Sequence, residues 1–139
     1  MAESIPDIEK LLPQGPPFIL VDELLGSDVS GAKTRFRVTA DNPLVENGRF
    51  GVGGLIENMA QTAAAGAGYA ARAGGGPLTG GAIVSVSNLE IARLPAVGEE
   101  LLTAVTVTGR VADIIVISGT ITCGQDLIAR GELKILTGI

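Results

Sequence analysis

Glu57 is the residue in this sequence best placed to move a proton. It stands inside a stretch of apolar and small residues, about Val52 to Arg72, one helical turn before Gln61 and beside Asn58. A carboxylate in such a run costs free energy unless it is hydrogen-bonded, paired or facing a cavity. One reading places it at a reactive pocket; the other has it cap a backbone group or pair across a subunit boundary. Just upstream stand Gly51, Gly53 and Gly54. Glycines at a helix start let a ligand approach backbone N–H groups that have no intrahelical partner, and such donors can polarise a carbonyl. The same glycines also serve tight packing. No lysine follows them in register, so they do not form a phosphate loop.

What is missing narrows the chemistry further. The chain has no histidine and one cysteine, Cys123. Serine–histidine and cysteine–histidine catalysis, a cysteine-rich metal site and an intrachain disulfide are thereby excluded, and no cofactor or metal is expected. Ten basic against 15 acidic residues give a net charge of −5, which argues against a nucleic-acid surface. Hydrophobic residues make up 46% and charged residues 18%, against roughly 25% charged in an average domain. That balance calls for a core, a partner subunit or a ligand pocket to cover the apolar surface. The uncharged stretch from Asn58 to Ala71 is shorter than the roughly 20 apolar residues of a spanning helix, so a cytoplasmic protein without a membrane span is expected.

The elements that position these residues follow from periodicity. Pro6 to Leu12 reads as one short helical turn stopped by Pro13, and Phe18-Ile19-Leu20-Val21 as a buried strand. Gly26 to Gly31 reads as a turn. Thr34, Phe36 and Val38 then alternate with Lys33, Arg35 and Arg37 on a half-wet strand. Ala40 to Arg49 is polar and reads as a loop. The helix that follows is apolar nearly all round, the pattern of a central helix pressed by other elements, and Gly74-Gly75-Gly76-Pro77 ends it. The rest reads as strand: Ala82 to Ala92, Leu101 to Thr108, and two alternating runs through Ile117–Cys123 and Leu127–Ile135. Cys123 falls on the apolar side of its run, as a small core residue. The 139 residues make one domain, 1–139, of α+β class: an antiparallel sheet wrapped around one long helix. A single helix leaves sheet edge and face uncovered, so a dimer is expected.

Three segments resemble the FabZ-type 3-hydroxyacyl-ACP dehydratases: Leu11-Leu12-Pro13 with Pro17-Phe18-Ile19-Leu20-Val21-Asp22, then Asn42-Pro43-Leu44-Val45-Glu46-Asn47-Gly48, then Leu55-Ile56-Glu57-Asn58-Met59-Ala60-Gln61. Element order agrees from Ile5 to Leu136. The resemblance implies a hot-dog fold, a homodimer or higher oligomer, and a tunnel for an acyl chain presented as an acyl-ACP or acyl-CoA thioester. It puts Glu57 at the position of the catalytic acid, has the glycines around Gly53 polarise the thioester carbonyl, and adds Gln61 and Arg49 to the binding residues. It also exposes a departure. The family's catalytic histidine stands in a Gly-His-Phe-Pro stretch that here reads Gly48-Arg49-Phe50-Gly51, and the Leu-Leu-Pro-His of many members ends here in Gln14. A guanidinium at Arg49 cannot accept the α-proton that dehydration removes. The resemblance therefore leads to an acyl-thioester-binding protein without the standard histidine, standing by itself or beside a histidine-bearing hot-dog subunit, to a thioesterase in which Glu57 activates water, or to a dehydratase with a substitute base. Lys33, Arg35 and Arg37 add a positive strand face that suits an acidic carrier or a solvated surface.

Overall fold

The computed structural model describes residues 5–75 and 80–138. A 3-10 turn, Ile8–Lys10, leads to strands β1 (Glu23–Asp28) and β2 (Gly31–Arg37) and a two-residue hairpin, β3 (Val45–Glu46) with β4 (Arg49–Phe50). Helix α1 (Val52–Ala73) follows, then β5 (Gly81–Ile91), β6 (Glu100–Val111), β7 (Ile114–Cys123) and β8 (Asp126–Thr137). The six long strands form one antiparallel sheet in the order β1-β2-β6-β7-β8-β5. The expected fold class is what the structure has: one long helix against one large antiparallel sheet.

Packing explains which side of α1 the sheet takes. Leu55, Met59 and Ala65 are buried against Phe36, Leu101, Ile117, Ile121 and Leu133. Small residues let the backbones close in. A Cβ on Gly66 would lie 2.9 Å from the Ala32 methyl, and one on Gly54 would lie 2.5 Å from the Phe50 ring. The opposite side of α1, through Ile56, Ala60, Ala63, Ala64 and Ala67, is only partly covered. The sheet therefore presses on one side of the helix, rather than surrounding it as its all-round apolar pattern suggests.

Three local expectations are corrected. Leu20 and Val21 are buried, but Phe18–Val21 is not a strand, because Leu20 makes its backbone bonds to side chains of α1 and strand pairing starts only where Asp22 N–H donates to Arg35 O at 2.8 Å. The turn expected over Gly26 to Gly31 shrinks to Val29-Ser30. There the Asp28 carboxylate accepts from Ser30 N–H, Ser30 hydroxyl and Gly31 N–H, which hold its pKa below the usual carboxylate value. The polar segment Ala40 to Arg49 contains the β3–β4 hairpin, closed by Asn47 and Gly48 at positive φ. The helix end falls at Gly74 and Gly75; Gly76-Pro77 lies outside the described residues.

Candidate active site

Glu57 is half-buried and lines a cavity of about 360 Å³ between α1 and the β5 end of the sheet. The helix contributes Ala60, Ala63, Ala64 and Ala67, one to two turns apart along the same stripe. The sheet contributes Gly81, Ala82 and Ile83 of β5, Ile115 of β7, and Ile135 and Thr137 of β8, while Pro13 and Gln14 come from the N-terminal segment. The wall is apolar and small-sided apart from three side chains, Glu57, Gln14 and Thr137. Its size lies within the roughly 300–1,000 Å³ of small-molecule sites.

The carboxylate is held by a buried amide. Gln61 Nε2 donates to Phe18 O at 2.8 Å and to Glu57 Oε1 at 3.3 Å, and Gln61 Oε1 accepts from Leu20 N–H at 2.7 Å. Beside it, Asn58 Nδ2 donates to Leu20 O at 2.7 Å while its Oδ1 accepts from the Thr103 hydroxyl. Thr62 donates to Asn58 O and meets Thr34 hydroxyl to hydroxyl at 2.7 Å. Every polar end of Asn58 and Gln61 is thus engaged, as burial demands. Gln61 orients Glu57 and straps the N-terminal segment to the helix; it does not itself line the cavity. Among the described residues no lysine or arginine forms an ion pair with Glu57.

The other expected site residues lie elsewhere on the single chain. Gly51, Gly53 and Gly54 border a separate shallow depression with Pro43, Leu44, Val45 and Glu46. Gly54 is filled by the Phe50 ring, whereas the space beside Gly53 is open. Arg49 is exposed and donates from Nη1 to Leu94 O at 2.9 Å. It therefore pins the β5–β6 connection and does not reach the Glu57 cavity. That connection also carries Arg93, which meets Glu99 through two bonds of 2.8 and 2.9 Å. The Arg93 guanidinium and Ala96 N–H hold the Glu99 carboxyl down at about 2. Arg35 and Arg37 share Glu100, and Arg37 N–H donates to Asp22, so two of the three cations on that strand face are already paired. Cys123 is buried, and burial pushes its thiol pKa up, as expected of a small core residue.

The ApeP-like family, described as "ApeP dehydratase", matches residues 6–138. The chain belongs to that family. No curated protein sequence matches it. Among solved structures, this ApeP-like chain is similar to a chain of the dehydratase heterocomplex ApeI:P from Xenorhabdus doucetiae, with a TM-score of 0.89, 16% identity, and coverage of 96% of this chain and 91% of that one. It is also similar to the E. coli PaaI protein from the phenylacetic acid degradation operon (TM-score 0.63, 18% identity, 82% and 81% covered). A hypothetical thioesterase from Streptococcus pneumoniae TIGR4, crystallised with coenzyme A, gives 0.64 and 11%, with 84% of each chain covered. At these identities the shared property is the hot-dog fold. Sequence reasoning assigned no role to Gln14, although a polar residue between the apolar Leu11-Leu12 pair and Pro16-Pro17 was the available signal.

Proposed function

We propose that this ApeP-like chain is an acyl-thioester-binding subunit of the dehydratase-like hot-dog group. It takes the acyl portion of an acyl-ACP or acyl-CoA thioester into the cavity beside Glu57. The observation that carries this reading is the cavity: an apolar space of about 360 Å³, walled by alanines, with a single carboxylate oriented by Gln61. Membership of a family described as a dehydratase supports it, as do the three FabZ-like segments. Dehydration of a 3-hydroxyacyl thioester breaks the α C–H and β C–O bonds, forms the C=C bond and releases water. It needs a base for the α-proton and an acid for the leaving hydroxyl. Glu57 serves as the acid. The base comes from a second, histidine-bearing hot-dog chain, since this one has no histidine. The glycine depression and the Glu57 cavity are separate within one chain, which favours a site completed across an interface. There the N–H groups near Gly53 polarise the thioester carbonyl.

Hydrolysis is the second reading, favoured by a carboxylate that stands at the cavity without an imidazole: Glu57 activates water and backbone N–H groups hold the oxyanion. Mass spectrometry of 3-hydroxyacyl and saturated acyl thioesters incubated with the pure chain separates the two. The expected result is no product from the chain alone, and Glu57-dependent loss of water once a histidine-bearing hot-dog chain that assembles with it is added. Free acid released by wild type but not by Glu57→Gln makes it a thioesterase. Water loss by the chain alone overturns the need for a second chain.

A further inference from the structure

The cavity beside Glu57 has a definite length as well as a volume. Along α1 its wall runs from Glu57 through Ala60, Ala63 and Ala64 to Ala67. Those ten positions, at 1.5 Å per residue, make a line of about 15 Å. An extended chain advances about 1.2 Å per bond, so that line matches about twelve bonds.

The volume leads to the same figure by a separate route. A methylene is close to a water molecule in size, and water occupies about 30 Å³ in the liquid. The space of about 360 Å³ therefore holds about twelve such groups. A chain that fills the volume also fills the length, so the cavity is one chain wide. Its wall suits hydrocarbon over that distance. Among the described lining residues Glu57 carries the only charge, and the helix beyond it presents methyl groups. On the sheet side the Thr137 hydroxyl donates to Asp113 O at 2.9 Å, which leaves it no hydrogen for a ligand.

Resting on the acyl-thioester reading above, we infer that the preferred ligand is an unbranched acyl chain of about twelve carbon atoms, with Ala63 and Ala67 as the residues that set its length. The thioester end lies at Glu57, where the cavity offers its one carboxylate, and the tail runs toward Ala67. Ala63 stands six positions from Glu57, about 9 Å along the axis, so a larger side chain there stops the tail near its middle. Ala67 lines the cavity and is exposed, so a larger side chain there meets only the last carbons.

The test is calorimetric binding of saturated, unbranched acyl pantetheine thioesters from four to sixteen carbons to wild type, Ala63→Leu and Ala67→Leu. In wild type each added methylene tightens binding by about fourfold, and the gain stops near twelve carbons. Ala67→Leu weakens the twelve-carbon ligand and leaves the six-carbon ligand unchanged. Ala63→Leu moves the break to about eight carbons. The exposed position of Ala67 keeps the test open if Ala63→Leu does not fold. An unbroken gain to sixteen carbons in wild type overturns the inference, as does equal weakening of every length by Ala67→Leu. If wild type binds all lengths equally, the inference fails while the acyl-thioester reading stands; if it binds none, both fail.

Discussion

Two amides on α1 do for Leu20 what a neighbouring strand does for an ordinary β residue: Gln61 takes its N–H and Asn58 gives to its C=O. Gln61→Met strips partners from Leu20 N–H and Phe18 C=O and releases Glu57 Oε1. Buried groups left unpaired cost about 1–3 kcal/mol each, so a loss of about 2–4 kcal/mol is expected in chemical denaturation. A change below about 0.5 kcal/mol would contradict the strap. Glu99 gives a pH signature. Its pKa is lowered to about 2 in the fold by the bond from Arg93 and by Ala96 N–H, so its contribution to stability is present above about pH 4.5 and is lost as pH falls toward 2. Glu99→Gln should flatten the acid limb of stability measured by circular dichroism over that window. Glu57 was legible in the sequence as a charge in an apolar run. Its partner's second role was not, because the Gln61–Leu20 contact joins residues 41 apart and no local pattern encodes it.

The helix shows how one element serves both packing and binding. Gly54 and Gly53 are adjacent and opposite in consequence. A methyl on Gly54 runs into the Phe50 ring at 2.5 Å, while one on Gly53 meets nothing within 4 Å. Gly54→Ala should destabilise by about 1–3 kcal/mol through overpacking, and Gly53→Ala should stabilise by up to about 1 kcal/mol through helix propensity. Thermal melts of the two variants moving in the same direction would refute this division. If Gly53 N–H also polarises a thioester carbonyl, the stabler Gly53→Ala variant should lose turnover in the assembled enzyme. The helix and the long strands were legible because period-3.6 and period-2 patterns hold over ten or more residues. Phe18–Val21 misled because an apolar run reports burial, not pairing, and the Val45–Phe50 hairpin is too short to show any period. That the alanine stripe faces a cavity instead of packed strand could not be read from composition, since alanine suits both.

At the scale of the molecule, β5 leaves one edge of an 11-residue strand unpaired in the sheet order, with Val84 55% and Val86 38% exposed on it. Long apolar edges invite another strand, and the Glu57 cavity opens against this same strand. A second hot-dog chain pairing there covers the edge and walls the cavity. Wild type should sediment as a dimer or larger, and Val84→Lys with Val86→Lys should shift it to monomer; a wild-type monomer would contradict that assembly. A dimer is the expectation from one helix serving so much sheet, but which edge stays open depends on the strand order, which only the fold supplies. The central claim is that an acyl chain occupies the space beside Glu57. Its most direct test is native mass spectrometry of the assembled protein with a 3-hydroxyacyl pantetheine thioester, comparing wild type, Glu57→Gln and Ala64→Phe, with circular dichroism confirming that each is folded. The account predicts retention by wild type and Glu57→Gln and loss in folded Ala64→Phe, whose ring fills the cavity. Retention by Ala64→Phe at the wild-type level, or none by wild type, would contradict it.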